Sequence, residues 1–592
     1  MGPCSRKDEW PFRHAVNPER SGHCHSQGYI IPCIQPDVKA GIKEAVVYYQ
    51  GAIVLVATWA IWRLLKTLTA KDPLSVVPGP KSEHWYFGNL LKLFTPGYRD
   101  YMDMLAGDYP RLARIPSVGG ASMLYTADPK AMYSVLVKDS SSWDVTPDFI
   151  RTNLLMFGPG LLATVDEQHR KQRKLLNPVF SIAHMREMIP TFYEVAHRLR
   201  DSISTTVSAG ETEMNMLEWT TRTALELIGR SGLGTSIDSL EPEGKPHPYA
   251  TSIKNLMQAM VPLTFSRFAV LPKVVNIGTP QFRRWVVDML PWGNLQKLVR
   301  LIDIMHNTSM EIYARKKKAL VGGDGVAHEE ADQGKDIISI LLRENMAASE
   351  EDRLPEHEVL GQMSTITFAA MDTSSNALSR ILYLLSECPE VQQRLRAEIL
   401  DAKQHNGDSD LSYDELVQLP YLDAVCRETL RLYPPLPLVI RESTQDTILP
   451  VSKPIITTKG AVASEVHVPK GTPIVIAIYS SNTDPELWGP DAKEWKPERW
   501  LEPLPEQLTS AKIPGIYSHL MTFIGGGRSC IGFKFSQLEM KVVLCALLES
   551  FRFSPTDKKV IWLNNGIVQP AVEEPESNGS PRLQLPLKVS LL

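Results

Sequence analysis

At 592 residues, 43% apolar and 22% charged, the chain has an ordinary globular composition with ample material for a core. A net charge of −4 without long single-sign runs argues against nucleic acid as a partner, and there is no internal repeat. Seven cysteines at 4, 24, 33, 388, 426, 530 and 545 are scattered and odd in number, which excludes a disulfide framework and fits a reducing compartment.

Residues 1–44 carry six Lys and Arg and read as a disordered extension. Residues 45–65 (AVVYYQGAIVLVATWAIWRLL) are long enough to span a bilayer, with Arg63 as the only charge, near the end where it can snorkel. Trp59 and Trp62 suit one interface, Tyr48 and Tyr49 the other. A cleaved signal peptide fits poorly, because the apolar run starts late and no small-residue cleavage site comes after it. Residues 66–84 form a basic, proline-rich hinge with Lys66, Lys71 and Val77-Pro78-Gly79-Pro80, which would stiffen and orient the domain behind the span.

Residues 85–440 read as helices with short strands, and 441–500 as strands and loops. Residues 167–174 (EQHRKQRK) put His169 and Arg173 on one helical face. Pro355 opens a helical run to about Glu387, with Pro389 beyond its end, and an apolar helix of that length should cross the core. In its middle lie Ala369, Ala370, Asp372, Thr373, Ser374 and Ser375. Two small residues let a planar group press on the helix, and a buried acid beside a hydroxyl is costly without a task. Equally, such hydroxyls can simply bond back to carbonyls one turn earlier. Glu428 and Arg431 are three apart on a helix ended by Pro434-Pro435, so they can form an ion pair.

Residues 523–532 (FIGGGRSCIG) set one cysteine in a glycine-rich loop ahead of the helical run 533–548. Glycines permit close backbone approach to a flat cofactor, the helix start favours a thiolate at Cys530, and Arg528 could meet a carboxylate. Thiolate, base and close-approach loop together suggest axial ligation of haem iron.

The order Phe-x-x-Gly-x-Arg-x-Cys-x-Gly, met by Phe523, Gly526, Arg528, Cys530 and Gly532, resembles the haem-binding signature of the cytochrome P-450 family. Upstream, residues 369–374 (AAMDTS) resemble the family's oxygen-activation motif, with Ala370 in place of the usual glycine. Glu428 and Arg431 match the family's Glu-x-x-Arg, and Pro497-Glu498-Arg499-Trp500 the loop whose arginine completes that cluster. His169 and Arg173 stand where the family commonly has Trp-x-x-x-Arg. His169 replaces the tryptophan but keeps a ring N–H donor. Arg441 occupies the place of a further propionate-binding arginine. The Pro-Gly-Pro hinge behind an N-terminal anchor resembles the membrane-bound members, although the 1–44 extension departs from them.

The resemblance implies a mainly α fold with small β-sheets, a single large haem domain over 85–592 behind a transmembrane helix. It implies haem b as cofactor, Cys530 as the iron ligand and His169, Arg173, Arg441 and Arg528 as propionate partners. Thr373 would hydrogen-bond dioxygen, Asp372 would help deliver protons, and Glu428, Arg431 and Arg499 would hold the haem-side core. By position, Phe368, Ala369, Leu436, Leu438, Val439 and Ile567 would line an apolar substrate pocket. No Gly-x-Gly-x-x-Gly comes after a strand, so NADPH and flavins enter only through a separate reductase, with cytochrome b5 as a further partner. Lys534, Lys541, Arg170 and Lys174 are candidates for an acidic partner's footprint.

Residues 169–180 (HRKQRKLLNPVF) resemble filamentous-fungal, particularly mushroom, members, which often tailor terpenoids. The expectation is therefore a terpenoid monooxygenase of the endoplasmic reticulum membrane with its catalytic body in the cytosol. Alternatives are a fatty-acid or xenobiotic hydroxylase, a non-oxygenating haem-thiolate isomerase or dehydratase, and a non-catalytic haem sensor or carrier.

Overall fold

The computed structural model describes residues 72–244, 247–321, 334–573 and 581–592, together with Gly51, Val54, Leu55, Ala57, Thr58, Trp59 and Trp62. The expected extension 1–44, most of the span 45–65 and the first part of the hinge, residues 66–71, lie outside the described residues. Among those described, no helix is long and apolar enough to cross a membrane. The chain divides into Met1–Ala70 and Lys71–Leu592. In the first unit the seven described positions are helical, and Val54, Leu55, Trp59 and Trp62 are exposed.

The second unit is mainly helical with small sheets. Seven of its helices carry or position the residues singled out along the chain: α1 (Pro147–Phe157), α2 (Asp166–Leu176), α3 (Ile182–Ser208), α4 (Met216–Leu227), α5 (Glu356–Glu387), α6 (Pro420–Leu432) and α7 (Phe533–Ser550). Local chemistry sets their ends. The Thr146 side chain caps α1, Pro147 opens it, and Gly158 at φ +81° closes it. Pro355 precedes α5 and Cys388-Pro389 ends it, much as the proline spacing predicts.

Helix α5 runs 32 residues, about 48 Å. Met363, Met371, Leu378, Ile381 and Leu385 on it are fully buried in the largest apolar cluster. Truncating one of these to alanine would cost roughly 2–5 kcal/mol. Helix α4 packs along α5, where Thr220 and Ser379 share a hydrogen bond of 2.9 Å. Helix α7 packs on α3, with the Phe192 and Phe535 rings edge to face at 5.0 Å.

The main sheet contains β1 (Leu112–Pro116), β2 (Ser122–Thr126), β3 (Trp143–Asp144), β4 (Val439–Ser443) and β5 (Pro473–Ile476), in the order β1-β2-β5-β4-β3. Only β2 and β5 pair in parallel. This order sets Asp144 of β3 against Glu442 of β4, beside Arg441. The expected strands and loops over 441–500 hold only in part. After Ile476 the chain makes short helical turns at Ile478–Asn482, Pro485–Trp488 and Pro497–Trp500. The second is capped by the Asp484 side chain with proline at its start, signals too short to register as a helical period.

Candidate functional site

The loop before α7 is closed by its own backbone. Cys530 N–H donates to the Phe523 carbonyl at 3.0 Å and Ser529 N–H to that of Gly526 at 3.1 Å. Phe523 is buried between the rings of Tyr517 and Phe533. The glycines serve a different neighbour from the one expected. A Cβ on Gly525 would lie 1.6 Å from the Pro514 carbonyl oxygen, and one on Gly526, at φ +73°, 1.8 Å from that of Leu136. Two of the three thus admit protein backbone rather than a cofactor, and only Gly527 has open space beside it. Gly532 caps α7, and a Cβ on it would lie 3.8 Å from the Phe180 ring, an ordinary contact.

Cys530 lies two residues ahead of the Gly532 cap. The residue is exposed in the folded chain. Desolvation pushes the thiol pKa up, against the thiolate expected from the helix start. The Gly532 N–H and the Arg173 guanidinium pull it down.

Four basic groups from three places in the chain gather beside this loop. Arg173 of α2 donates to the Ser529 carbonyl and hydroxyl. Arg528 donates to the Thr164 carbonyl at 2.8 Å and pairs with Asp144 at 2.9 Å. Arg441 arrives on β4 with 6% exposure, its one side-chain hydrogen bond among the described residues being to the Ile440 carbonyl. His169, one turn before Arg173, is buried, and burial with the charges of Arg528, Arg173 and Arg441 lowers its pKa to about 3. Its imidazole is therefore neutral. Burial, then Arg528, lowers Arg441 to about 10. Asp144 is the one carboxylate ion-paired to any of these arginines among the described residues. This donor set is short of negative charge and suits a buried group bearing carboxylates.

On α5, Thr373 donates to the Ala369 carbonyl at 2.8 Å, the back-bonding geometry raised as an alternative from sequence. Asp372 is 7% exposed, and burial raises its carboxyl pKa to about 7. Ala369 is exposed in the middle of this largely buried helix, and the half-buried Phe368 ring packs tilted against Phe157 of α1, centroids 4.8 Å apart. The other expected lining residues lie on the 436–439 and 567–568 segments. Leu438 is buried in a cluster with Tyr125, Tyr479 and Val568. Leu436 and Val439 are half-buried, and Ile567 occupies a turn tied down by Val568 N–H on the Pro435 carbonyl at 2.9 Å.

Sequence reasoning missed Glu539. This α7 residue is fully buried, neither carboxylate oxygen has a hydrogen-bonding partner among the described residues, and burial raises its pKa to about 8. Ser374 of α5 is its polar neighbour. The signal was available, since an acid in so apolar a run as 538–548 is costly to bury.

Glu428, Arg431 and Arg499 do meet. Arg431 forks onto both Glu428 oxygens at 2.8 Å, and its remaining donors reach the carbonyls of Asn482, Ala492 and Glu494. Arg499 Nε approaches Glu428 at 3.3 Å and its Nη1 reaches Asp491 at 2.8 Å. Trp500 and the Lys496 N–H, not foreseen, complete the Glu428 carboxylate at 3.0 Å each. Among the expected footprint residues, Lys541 drops out, being buried and ion-paired with Asp423 at 2.8 Å.

A family model described as Cytochrome P-450 matches residues 77–573. Cytochrome P-450 monooxygenase 91 of Postia placenta is 48% identical over 531 residues, covering 90% of this chain and 96% of its own. Cytochrome P-450 monooxygenase 81 of the same fungus is 47% identical, with coverage of 89% and 95%. A ganoderic acid synthetase of Ganoderma lucidum is 41% identical over 538 residues, covering 90% and 97%.

Proposed function

Because the chain belongs to the cytochrome P-450 family, whose cofactor is haem b, we propose that this monooxygenase oxidises a terpenoid, drawing electrons from a separate NADPH-dependent reductase at the endoplasmic reticulum membrane. The observation that carries the reading is the accessible thiol of Cys530 beside a carboxylate-seeking cluster of Arg173, Arg441, Arg528 and His169.

Bound by a thiolate, haem supplies the oxygen-activating redox chemistry. The residues present fit that group. Cys530 would ligate the iron, while Arg173, Arg441, Arg528 and the His169 N–H would hold its carboxylates. Thr373 presents a hydroxyl on the same helix face as the exposed Ala369. Asp372, with a pKa near neutrality, can hold a proton and release it at its carboxyl oxygens. Phe157 and Phe368 close an apolar wall that excludes water.

A terpenoid substrate is supported by the 41% identical relative named for ganoderic acid synthesis and by the apolar character of that wall. Membrane attachment is supported by the apolar run 45–65. It is also supported by an exposed apolar stretch of the catalytic unit, where Phe265, Ile277, Trp285 and Met289 are 55–68% exposed in a segment that also carries Lys273, Arg283 and Arg284.

The test is the visible difference spectrum of dithionite-reduced protein with and without carbon monoxide. A strongly red-shifted Soret band, lost in Cys530→Ala, is expected. Its absence from folded, haem-replete protein would remove the thiolate from the reading.

A further inference from the structure

Arg267 lies on a short helix, Thr264–Ala269, within the exposed apolar stretch 261–292. The residue is half-buried. Nε donates to Thr152 Oγ1 at 2.9 Å, and the guanidinium carbon lies 5.1 Å from the Phe268 ring centroid. One edge is thus pinned and one face covered. The terminal nitrogens Nη1 and Nη2 find no acceptor among the described residues. No carboxylate stands within ion-pair distance of it among those residues. The acid whose field it feels, Asp148, is engaged by Arg151 at 2.9 Å. Burial lowers the pKa of this arginine, the mark of a cation without sufficient compensation.

Thr152 is 5% exposed and shares the inner face of α1 with Met156 and Phe157. From Thr152 to Phe157 is about 7.5 Å of helix. There Phe157 meets Phe368, the neighbour of Ala369 on α5. Helix α1 thus links Thr152, which holds Arg267, to Phe157, which meets Phe368 beside Ala369 on α5.

We propose that Arg267 anchors the carboxylate of an amphipathic substrate, a lipophilic acid held by Nη1 and Nη2 with its apolar body lying along α1 toward Ala369 and Thr373. The anchor deepens the terpenoid monooxygenase reading and rests on it. Two parallel N–H donors on one guanidinium edge match a carboxylate, and the partly desolvated setting strengthens that pairing. A neutral ester or alcohol would leave the guanidinium uncompensated, so the site discriminates by charge.

Dehydroabietic acid and its methyl ester are suitable probes, measured by equilibrium dialysis at neutral pH against the haem-replete full chain. The acid is expected to bind wild type about tenfold more tightly than the ester. Arg267→Gln should abolish that margin, Arg267→Lys should keep part of it, and ester affinity should be the same in all three. Equal affinities in wild type, an Arg267→Gln protein that still prefers the acid, or a wild type that binds no acid each overturn the proposal. The carbon monoxide spectrum of the same preparations separates the two readings. A thiolate band without acid preference removes the anchor alone, whereas loss of the band removes the haem-thiolate reading beneath it.

Discussion

Arg173 holds Ser529 by two hydrogen bonds, 2.7 Å to its carbonyl oxygen and 3.0 Å to its hydroxyl, and so ties α2 to the residue preceding the thiol. Arg173→Ala removes both and should cost about 2–4 kcal/mol, since bonds to charged groups contribute most. Arg173→Lys restores the charge but not the fork, so it should recover only part. Haem occupancy per chain and melting temperature read both effects. Full occupancy with wild-type melting in the alanine variant would contradict this role.

The Glu428–Arg431 pair is fully buried, and six further contacts depend on it. Glu428→Ala leaves a buried guanidinium without its carboxylate, a loss of roughly 3–5 kcal/mol. The expected result is insoluble or haem-free protein. A soluble variant melting with wild type would show that the cluster is dispensable.

Asp372 makes stability depend on pH. In the folded chain burial keeps its carboxyl neutral up to about pH 7, against an ordinary value of 3.8. The folded state therefore binds this proton more tightly than the unfolded state. The associated stability is full below about pH 4 and is lost as pH rises through about 7, amounting to about 4 kcal/mol. Asp372→Asn cannot ionise, so its advantage over wild type should grow across that window and then level off. Glu539→Gln should repeat the pattern with the loss ending near pH 8. Denaturant unfolding at several pH values tests both, and a pH-independent difference would refute the shift.

Gly526 and Gly527 should behave oppositely despite being adjacent. Alanine at 526 drives a Cβ into the Leu136 carbonyl from a left-handed backbone, whereas alanine at 527 meets nothing within 4 Å. Gly526→Ala is expected to lose several kcal/mol, and Gly527→Ala about 1 kcal/mol or less. Thermal melts of the two variants decide it. Equal losses would return the close approach to a cofactor rather than to protein backbone.

The Thr373 hydroxyl, bonded to Ala369 at 2.8 Å, adds little to the helix. Thr373→Ala should fold with wild-type stability while product formed per NADPH consumed falls about tenfold or more. Undiminished coupling would favour a non-oxygenating enzyme or a haem carrier over a monooxygenase.

Much of this site was legible along the chain because its signals are local. Prolines at 355 and 389 bracket α5, the Phe523–Gly532 loop carries its own pattern, and the three-residue spacing of Glu428 and Arg431 places both on one helical face. The glycines of that loop were legible as a requirement but not as to its cause. Pro514 and Leu136, whose carbonyls demand the missing side chains, are nearby only in space.

The sequence by itself determined the fold family, the cysteine and the spacing of its helices, since these depend on residue type and short-range period. Tertiary structure alone decided which charges lack partners. It drew Arg173, Arg441 and Arg528 together from α2, β4 and the loop, and left Glu539 buried without a hydrogen-bonding partner among the described residues. It also removed Lys541 from the surface and set Arg267 on Thr152 with its other edge free. Burial and ion pairing depend on groups hundreds of residues apart, so no local pattern encodes them, and they set the protonation states on which the chemistry depends.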